Sequence, residues 1–251
     1  GVMGLHSFFQ QKNIPFGSVM SKVWNQKIFK HIQEKADQAS VKLAEERGSC
    51  PDAEEYGIKE RFSNKTAIAP TASISVICGG ASPGIEPIAA NSYTHKTLSG
   101  SFNVRNKYLA KILEKHGKND DETWSSITTN QGSVSHLDFL TDIEKDTFKT
   151  AFEIDQRWIV ELGADRTPNI SQAQSINVFV PADIHKKDLH QIHFQAWKKG
   201  LKSLYYCRSK SIQRAENVNT GSSTDVTKNV YKANKESTNE ENKYEECLSC
   251  Q

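Results

Sequence analysis

Apolar residues recur at three- and four-residue spacing in several parts of the chain, which is the period of an amphipathic helix. The longest such pattern predicts a helix over residues 18–47, which Gly48 would end. Shorter patterns predict helices over residues 106–116, about 143–162 and about 184–200. The inward positions expected from the spacing are Met20, Trp24, Ile28, Ile32, Ala36, Ala39 and Leu43 in the first helix and Leu189, Ile192, Ala196 and Trp197 in the last.

Two short apolar runs between these helices have the composition of buried strands. Residues 65–70 read Lys-Thr-Ala-Ile-Ala-Pro, and residues 175–180 read Ser-Ile-Asn-Val-Phe-Val. Helices that alternate with short buried strands are typical of the α/β class. We therefore predict an α/β fold, and the sequence shows no internal repeat.

The end of the chain differs in composition from the rest. Of the 44 residues from 208 to 251 only 11 are hydrophobic, and no helical or strand period runs through them. Such a segment cannot bury enough apolar surface to offset the entropy lost on ordering. We predict a globular part over residues 1–207 and a disordered tail over residues 208–251.

The composition of the whole chain excludes several classes of protein. Its 251 residues are 36% hydrophobic, and no apolar run approaches the roughly 20 residues of a membrane-spanning helix. A formal net charge of +2 provides no overall field that would attract nucleic acid. Five cysteines are too few and odd in number for a disulfide framework, so we expect a cytoplasmic protein. Because the chain opens on Gly1 rather than Met, we expect it to be cut or processed from a longer chain.

A loop rich in glycine and small hydroxyl residues follows the first predicted strand. It runs from Pro-Thr-Ala-Ser-Ile-Ser at residues 70–75 to Gly-Gly-Ala-Ser-Pro-Gly at residues 79–84. Backbone N–H groups and hydroxyls after a strand can bind an anion, and the positive end of a following helix would strengthen that binding. The alternative is an ordinary connector, and the absence of Gly-Lys-Ser/Thr excludes a Walker A loop.

Two pairs of residues could also carry chemistry. Tyr205 and Tyr206 are adjacent at the end of the last predicted helix, where tyrosines more often pack in a core or at its rim. Cys247 and Cys250 form a Cys-x-x-Cys pair in the predicted tail, which is either half of a zinc site or a redox dithiol. No second pair completes a zinc site, so we favour the dithiol and predict no metal. A flexible coil of about forty residues would give it a reach on the order of 35 Å.

Six blocks of the sequence, taken in order, carry more weight together than any one of them alone. One joins the loop at residues 70–75 to Gly-Ile-Glu-Pro at residues 84–87. The others are residues 1–8 (Gly-Val-Met-Gly-Leu-His-Ser-Phe), 48–51 (Gly-Ser-Cys-Pro), 99–106 (Ser-Gly-Ser-Phe-Asn-Val-Arg-Asn), 172–177 (Gln-Ala-Gln-Ser-Ile-Asn) and 197–206 (Trp-Lys-Lys-Gly-Leu-Lys-Ser-Leu-Tyr-Tyr). Together with the terminal cysteine pair, these blocks resemble the large subunit of class I ribonucleotide reductase.

The resemblance implies a fold and a set of site residues. The family's fold is a ten-stranded α/β barrel, of which this chain would be the C-terminal portion. The loop would hold the substrate's diphosphate through Pro70, Thr71, Ala72, Ser73 and Ile74. The adjacent tyrosines would relay a radical, with Tyr205 facing the active-site cysteine and Tyr206 facing the small subunit. Cys247 and Cys250 would pass electrons from thioredoxin or glutaredoxin to the active site.

The resemblance also implies what this chain lacks. The family's catalytic cysteines and its ATP and deoxynucleotide effector sites lie N-terminal to the point where this chain begins, so the chain alone is expected to be inactive. The expected partners are an N-terminal large-subunit portion (of the same or a separate chain), a small radical-generating subunit, thioredoxin or glutaredoxin, and a ribonucleoside diphosphate. The chain would bind no cofactor directly and depend on the di-metal/tyrosyl cofactor of the small subunit. Nucleic acid and membrane are not expected partners, and the location would be the cytoplasm, that of a host if the chain is viral.

The resemblance therefore implies that the chain is part of a ribonucleoside-diphosphate reductase, which makes 2′-deoxyribonucleoside diphosphates from ribonucleoside diphosphates by radical chemistry. One alternative is a non-catalytic nucleotide- or subunit-binding domain, which would need neither the tyrosine pair nor the dithiol. The other is a zinc or redox adaptor with a Cys-x-x-Cys tail. That adaptor would require the agreement over residues 1–206 to be coincidence.

Overall fold

The computed structural model describes residues 2–97 and 100–209, apart from the side chains of residues 95–97 and 100–102. Within these residues the helices are α1 (Leu5–Gln11), α2 (Val19–Arg47), α3 (Pro51–Glu55), α4 (Ala72–Ile77), α5 (Lys107–Lys115), α6 (Asp121–Thr129), α7 (Asp142–Thr147), α8 (Gln156–Arg166) and α9 (Lys186–Lys198). The strands are β1 (Ser92–Thr97), β2 (Gly100–Arg105), β3 (Val178–Val180) and β4 (Cys207–Ser209). β1 pairs antiparallel with β2, and β3 pairs parallel with β4. The predicted boundary at residue 207 and the predicted tail lie at or outside the edge of the described residues and stay predictions.

The longest helix, α2, begins and ends where the sequence predicts. The Ser18 hydroxyl accepts a hydrogen bond from the Ser21 N–H, and the Ser18 N–H donates to the Ser21 hydroxyl, which forms a capping box. Gly48 follows the last turn with a φ of 81°, a conformation that favours glycine. Local signals at both ends therefore suffice to place this helix.

The predicted inward face of α2 is confirmed in part, because Trp24, Ile28 and Ile32 are partly buried and pack against the largest apolar cluster. The most deeply buried residues lie one position further along the helix. Met20, predicted to face inward, is 52% exposed, whereas Asn25 is fully buried. The Asn25 amide donates to the Leu162 carbonyl at 2.9 Å, so a polar side chain anchors α2 against α8. The inward assignment of Met20 was wrong, and Asn25 was missed because only apolar residues were counted as inward. The buried residues of α2 are Ser21, Asn25, Phe29, Ser40 and Ala44.

The single helix predicted over about 143–162 is two helices, α7 and α8. Phe148 ends α7 and belongs to one apolar cluster, whereas Ala151 belongs to another. The Ala151 N–H donates to the Ile88 carbonyl at 2.7 Å, and Asp155 then caps the N-terminus of α8. Tertiary contacts thus break a segment whose apolar residues have helical spacing. The break cannot be predicted from that spacing, because its cause is not local.

The predicted strand over residues 65–70 was largely wrong, because the structure retains only an isolated parallel bridge between Ile68 and Gln174. Pro70 has no N–H with which to extend the ladder. The predicted strand over residues 175–180 is confirmed in shortened form as β3. The hairpin β1–β2 and the short helices α1, α3, α4 and α6 were not predicted from the apolar spacing.

Three apolar clusters of buried residues form the core. The largest surrounds Phe9, Phe16 and Phe29 and joins α1, α2 and α8. The second lies between α5 and α6, and the third packs β3 against α9. In α9, Ile192 and Ala196 are buried as predicted, but Trp197 is 73% exposed, so its inward assignment was wrong. The buried stripe of α9 runs through Ile192 and Ala196, and Trp197 lies about 100° around the helix from Ala196.

Candidate functional site

The loop predicted to bind phosphate turns sharply into α4. Thr71 precedes this helix in a left-handed conformation with a φ of 53°. Its buried hydroxyl accepts a hydrogen bond from the Gly84 N–H at 2.7 Å. Ser73 and Ile74 lie exposed in the first turn of α4, where N–H groups have no acceptors within the helix. The arrangement leaves N–H groups and the Ser73 hydroxyl available to an anion, while Thr71 fixes the shape of the loop.

The glycine-rich segment that returns from α4 is held tightly in place. The Ser7 and Ser82 hydroxyls each accept from the other residue's N–H, at 2.9 and 3.1 Å. Gly84 has a φ of 47°, and a Cβ there would lie 3.1 Å from the Ala69 carbonyl oxygen. Glycine is therefore required at residue 84, where the backbone must come close enough to bond Thr71.

The tyrosine pair lies between α9 and β4 and is bound along β3. The Tyr205 N–H donates to the Ile176 carbonyl at 2.8 Å, and the Val178 N–H donates to the Tyr206 carbonyl at 2.9 Å. The Tyr206 N–H donates to the Asn177 side-chain oxygen at 2.9 Å. The two ring centroids are 4.1 Å apart, and the residues are 46% and 42% exposed. The rings thus contact each other while both remain accessible from outside the described residues.

A buried carboxyl group interacts with two of the residues that contact Tyr206. Glu86 is only 8% exposed, and burial raises the pKa of its carboxyl to about 7. Hydrogen bonding from Asn177 and the charge of Arg208 oppose that rise, since both favour the ionised form. The Arg208 guanidinium also lies over the Tyr206 ring, 5.8 Å from its centroid. Glu86, Asn177, Arg208 and Tyr206 are called the Glu86 cluster below.

The segment from Gly84 to Glu86 contributes to both predicted sites. Gly84 bonds Thr71 of the loop, and Glu86 belongs to the cluster at the tyrosines. Glu86 and Asn177 lie within the sequence blocks that carry the resemblance, but neither was predicted to have a role. The available signal was a carboxylate between Ile85 and Pro87, in a segment with no other charge.

A second buried charge lies between α2 and α8. Arg166 is fully enclosed, donates to the Gln174 side-chain oxygen at 2.6 Å and to the Asn25 side-chain oxygen at 3.0 Å. Its guanidinium also lies 5.6 Å from the centroid of the Phe29 ring. Burial lowers the pKa of Arg166 to about 9, so the group is still protonated at neutral pH. We call these four residues the Arg166 cluster.

Comparison with known proteins identifies the context of these sites. The family model described as "Ribonucleotide reductase, barrel domain" matches residues 1–60 and 51–207. The chain belongs to the ribonucleotide reductase barrel-domain family. It is 47% identical over 224 residues to the ribonucleoside-diphosphate reductase large subunit of Invertebrate iridescent virus 6, and 32% identical over 285 aligned positions to that of Caenorhabditis elegans.

A solved structure of this reductase family has the same fold. The Actinobacillus ureae class Id ribonucleotide reductase alpha subunit superposes with a TM-score of 0.78 at 40% identity and covers 84% of this chain. The α/β prediction is thereby confirmed, and the chain is a portion of the α/β barrel. The chain spans 38% of that structure, 23% of the viral protein and 35% of the nematode protein. The blocks that carried the resemblance therefore identified the family correctly.

The structure describes three of the five cysteines of the chain, and the predicted redox pair is not among them. Cys247 and Cys250 lie outside the described residues. Cys50 is half-buried, Cys78 and Cys207 are exposed, and all three thiols are free. Within the described ranges no three His, Cys, Asp or Glu side chains are grouped to hold a metal ion. No helix in those ranges is long and apolar enough to cross a membrane.

Proposed function

We propose that this chain forms the part of a ribonucleoside-diphosphate reductase large subunit that binds substrate phosphate and relays the radical. The reaction would convert ribonucleoside diphosphates to 2′-deoxyribonucleoside diphosphates, in the cytoplasm. The observation that carries the proposal is the contact between the rings of Tyr205 and Tyr206. Both residues are held by backbone bonds along β3 and exposed enough to meet partners on either side.

The relay would move one electron and one proton at each step. Tyr206 would give both to the tyrosyl radical of the small subunit and become a neutral radical. Tyr205 would then restore Tyr206, and the active-site cysteine on the N-terminal portion would restore Tyr205. Ring centroids 4.1 Å apart make the middle step a transfer between groups in contact. Radical chemistry enters only from the cofactor of the small subunit.

The loop from Pro70 to Ile74 would hold the substrate's diphosphate. Exposed N–H groups in the first turn of α4 and the Ser73 hydroxyl provide donors, and the positive end of a helix favours an anion. Thr71 would act chiefly on the loop's shape, because its hydroxyl oxygen already accepts from Gly84. Ala72 and Ile74 would contribute backbone N–H groups, which do not depend on their side chains.

The relay is tested by replacing each tyrosine with phenylalanine in the complete large subunit assembled with its small subunit. Tyr205→Phe and Tyr206→Phe should each abolish turnover while substrate binding persists, since phenylalanine has no phenolic proton to lose. Tyr56→Phe is a matched control, because Tyr56 is 75% exposed and lies outside both sites. Normal turnover in the Tyr206→Phe holoenzyme would exclude the relay.

We further propose that Cys247 and Cys250 deliver electrons from thioredoxin or glutaredoxin to the disulfide that each turnover leaves. One thiolate would attack that disulfide, and the other would resolve the mixed disulfide, leaving the tail oxidised and the active site reduced. A Cys247→Ser, Cys250→Ser enzyme should lose thioredoxin-driven turnover and keep turnover with a small dithiol. Equal loss with both reductants would contradict this role.

A further inference from the structure

We propose that Glu86 is a positioning residue of the tyrosine relay, whose buried carboxylate holds Asn177 against Tyr206 and balances the charge of Arg208. This inference rests on the proposed relay and deepens it, because it adds a group that controls how readily Tyr206 is oxidised. Glu86 itself neither gives nor takes an electron in this role.

The carboxyl of Glu86 is buried. Glu86 is 8% exposed, and its Oε1 atom has no hydrogen-bond partner among the described residues. Leaving a carboxylate oxygen buried and unpartnered is costly, and the cost recurs mainly where a charge has a function. Glu86 lies two residues beyond the Gly84 that fixes the phosphate loop, so its segment cannot move away to relieve that cost.

A hydrogen bond from the Tyr206 N–H fixes the orientation of Asn177. Its side-chain oxygen accepts from the Tyr206 N–H at 2.9 Å, which leaves the amide NH₂ group to donate. Asn177 hydrogen bonds favour the ionised form of Glu86, as donation from that NH₂ group and from the backbone N–H would. Glu86 and Tyr206 therefore share one amide, and a change in the carboxyl acts directly on the group that fixes Tyr206.

The Arg208 guanidinium lies over the Tyr206 ring. Arg208 lies 5.8 Å from the Tyr206 ring centroid, within the range of a cation–π interaction. Such a cation is attracted to the π electrons, so removing an electron from the ring weakens the attraction and makes oxidation harder. The charge of Arg208 also acts on Glu86, and an ionised Glu86 offsets the guanidinium. The carboxylate thereby favours radical formation at Tyr206.

The groups around Glu86 define how this balance changes with pH. β4 contributes the charge of Arg208, the residue before β3 contributes the neutral amide of Asn177, and the tyrosine pair adds two phenols. On α1, His6 accepts from the backbone two residues after Glu86 and stays neutral, because burial lowers its pKa to about 3. With burial raising the pKa of Glu86 to about 7, the carboxylate is lost as pH falls through neutrality.

The test uses the complete large subunit with its small subunit, with turnover and substrate affinity measured between about pH 6 and 8. Wild-type turnover should fall on the acid side as Glu86 becomes protonated. Glu86→Gln should turn over about tenfold more slowly at the upper pH, without that acid limb and with unchanged substrate affinity. In the double variant Glu86→Gln, Arg208→Gln, the guanidinium that opposes oxidation of Tyr206 is absent as well, so part of the lost rate should return. A purely structural role for Glu86 would not produce that recovery.

Two further variants complete the design. Arg208→Gln alone removes the cation that favours the carboxylate, so the acid limb should move to higher pH. This holds even if Glu86→Gln fails to fold. Glu144→Gln, which removes a carboxyl on α7, is the matched control and should follow the wild-type profile. An unshifted limb in Arg208→Gln, or wild-type rate and profile in Glu86→Gln, would overturn the proposal. If one of these results occurs and Tyr206→Phe is inactive in the same assay, only the role of Glu86 is excluded. If Tyr206→Phe is active, the relay is excluded as well.

Discussion

The Arg166 cluster and the Glu86 cluster each place one charged group in the interior, but they differ in how completely that group is bonded. Arg166 bonds two side-chain amides and covers an aromatic ring. Glu86 has an unpartnered oxygen, and it is linked through Asn177 and Arg208 to the half-exposed Tyr206. The first arrangement fixes α2 and α8 together, whereas the second retains a charge at a cost in stability.

This difference indicates which cluster contributes to folding and which to chemistry. A buried charge with a complete set of partners resists removal, because its loss strands those partners. A buried charge with an incomplete set destabilises the fold, and such groups concentrate at functional sites. The free energy of unfolding should therefore fall when the charge of Arg166 is removed and rise when the charge of Glu86 is removed.

The largest expected effect is on the Arg166 cluster. Arg166→Met keeps much of the side-chain volume but leaves the Asn25 and Gln174 oxygens without a donor. Each stranded oxygen costs about 1–3 kcal/mol, so the free energy of unfolding should fall by about 3–5 kcal/mol. Urea denaturation of the complete large subunit measures this. Arg157→Met is the control, since Arg157 is exposed and should change stability by less than about 0.5 kcal/mol. Equal small effects would mean that the cluster does not hold the helices together.

The next effect concerns His6, a fully buried titratable group on α1. Burial lowers the pKa of His6 to about 3, and the Thr147 backbone only partly opposes that shift. Below about pH 6.5, His6 is therefore protonated in the unfolded chain but stays neutral in the folded chain. The free energy of unfolding falls as pH decreases, because protonation favours the unfolded chain. Between pH 7 and 5 the loss should be about 2 kcal/mol.

His6→Gln should remove this pH dependence, because glutamine does not titrate in that range. The difference in urea midpoint between pH 7 and 5, wild type against variant, measures the contribution of His6. A variant that loses as much stability as the wild type over this range would show that another group carries the acid sensitivity. His31→Gln, an exposed histidine on α2, is the matched control.

A smaller effect, of opposite sign, is expected at Glu86. Its pKa is raised from 4.5 to about 7, so its contribution to stability is present below about pH 4.5 and is lost as pH rises through 7. Glu86→Gln removes the buried charge and should raise the free energy of unfolding by about 1–2 kcal/mol at pH 8, with a smaller gain at pH 5. Thermal and urea midpoints at the two pH values test this. A loss of stability at pH 8 would place Glu86 with Arg166 as a structural charge and remove the contrast between the clusters.

The parts of this fold that the sequence predicts are those with local causes. The ends of α2 follow from Ser18 and Gly48, and the family follows from blocks of residues whose spacing is specific. The break between α7 and α8 depends on a bond from Ala151 to Ile88, far away in the chain, and no local pattern encodes it. The Glu86 cluster joins residues from three separate segments, so its composition could be read from the sequence but its proximity could not.

The smallest expected effect tests the one face of α9 that was predicted wrongly. Trp197 is 73% exposed, whereas Ile192 on the same helix is 8% exposed and packs on β3. Trp197→Gln should change the free energy of unfolding by less than about 0.5 kcal/mol, because little apolar surface returns to water. Ile192→Ala should cost about 2–4 kcal/mol through the cavity it leaves. Urea midpoints of the two variants decide between the inward and the exposed position. If Trp197→Gln lowered the free energy of unfolding as much as Ile192→Ala, Trp197 would be buried in the complete subunit. The buried face of α9 would then include Trp197 as well as Ile192 and Ala196.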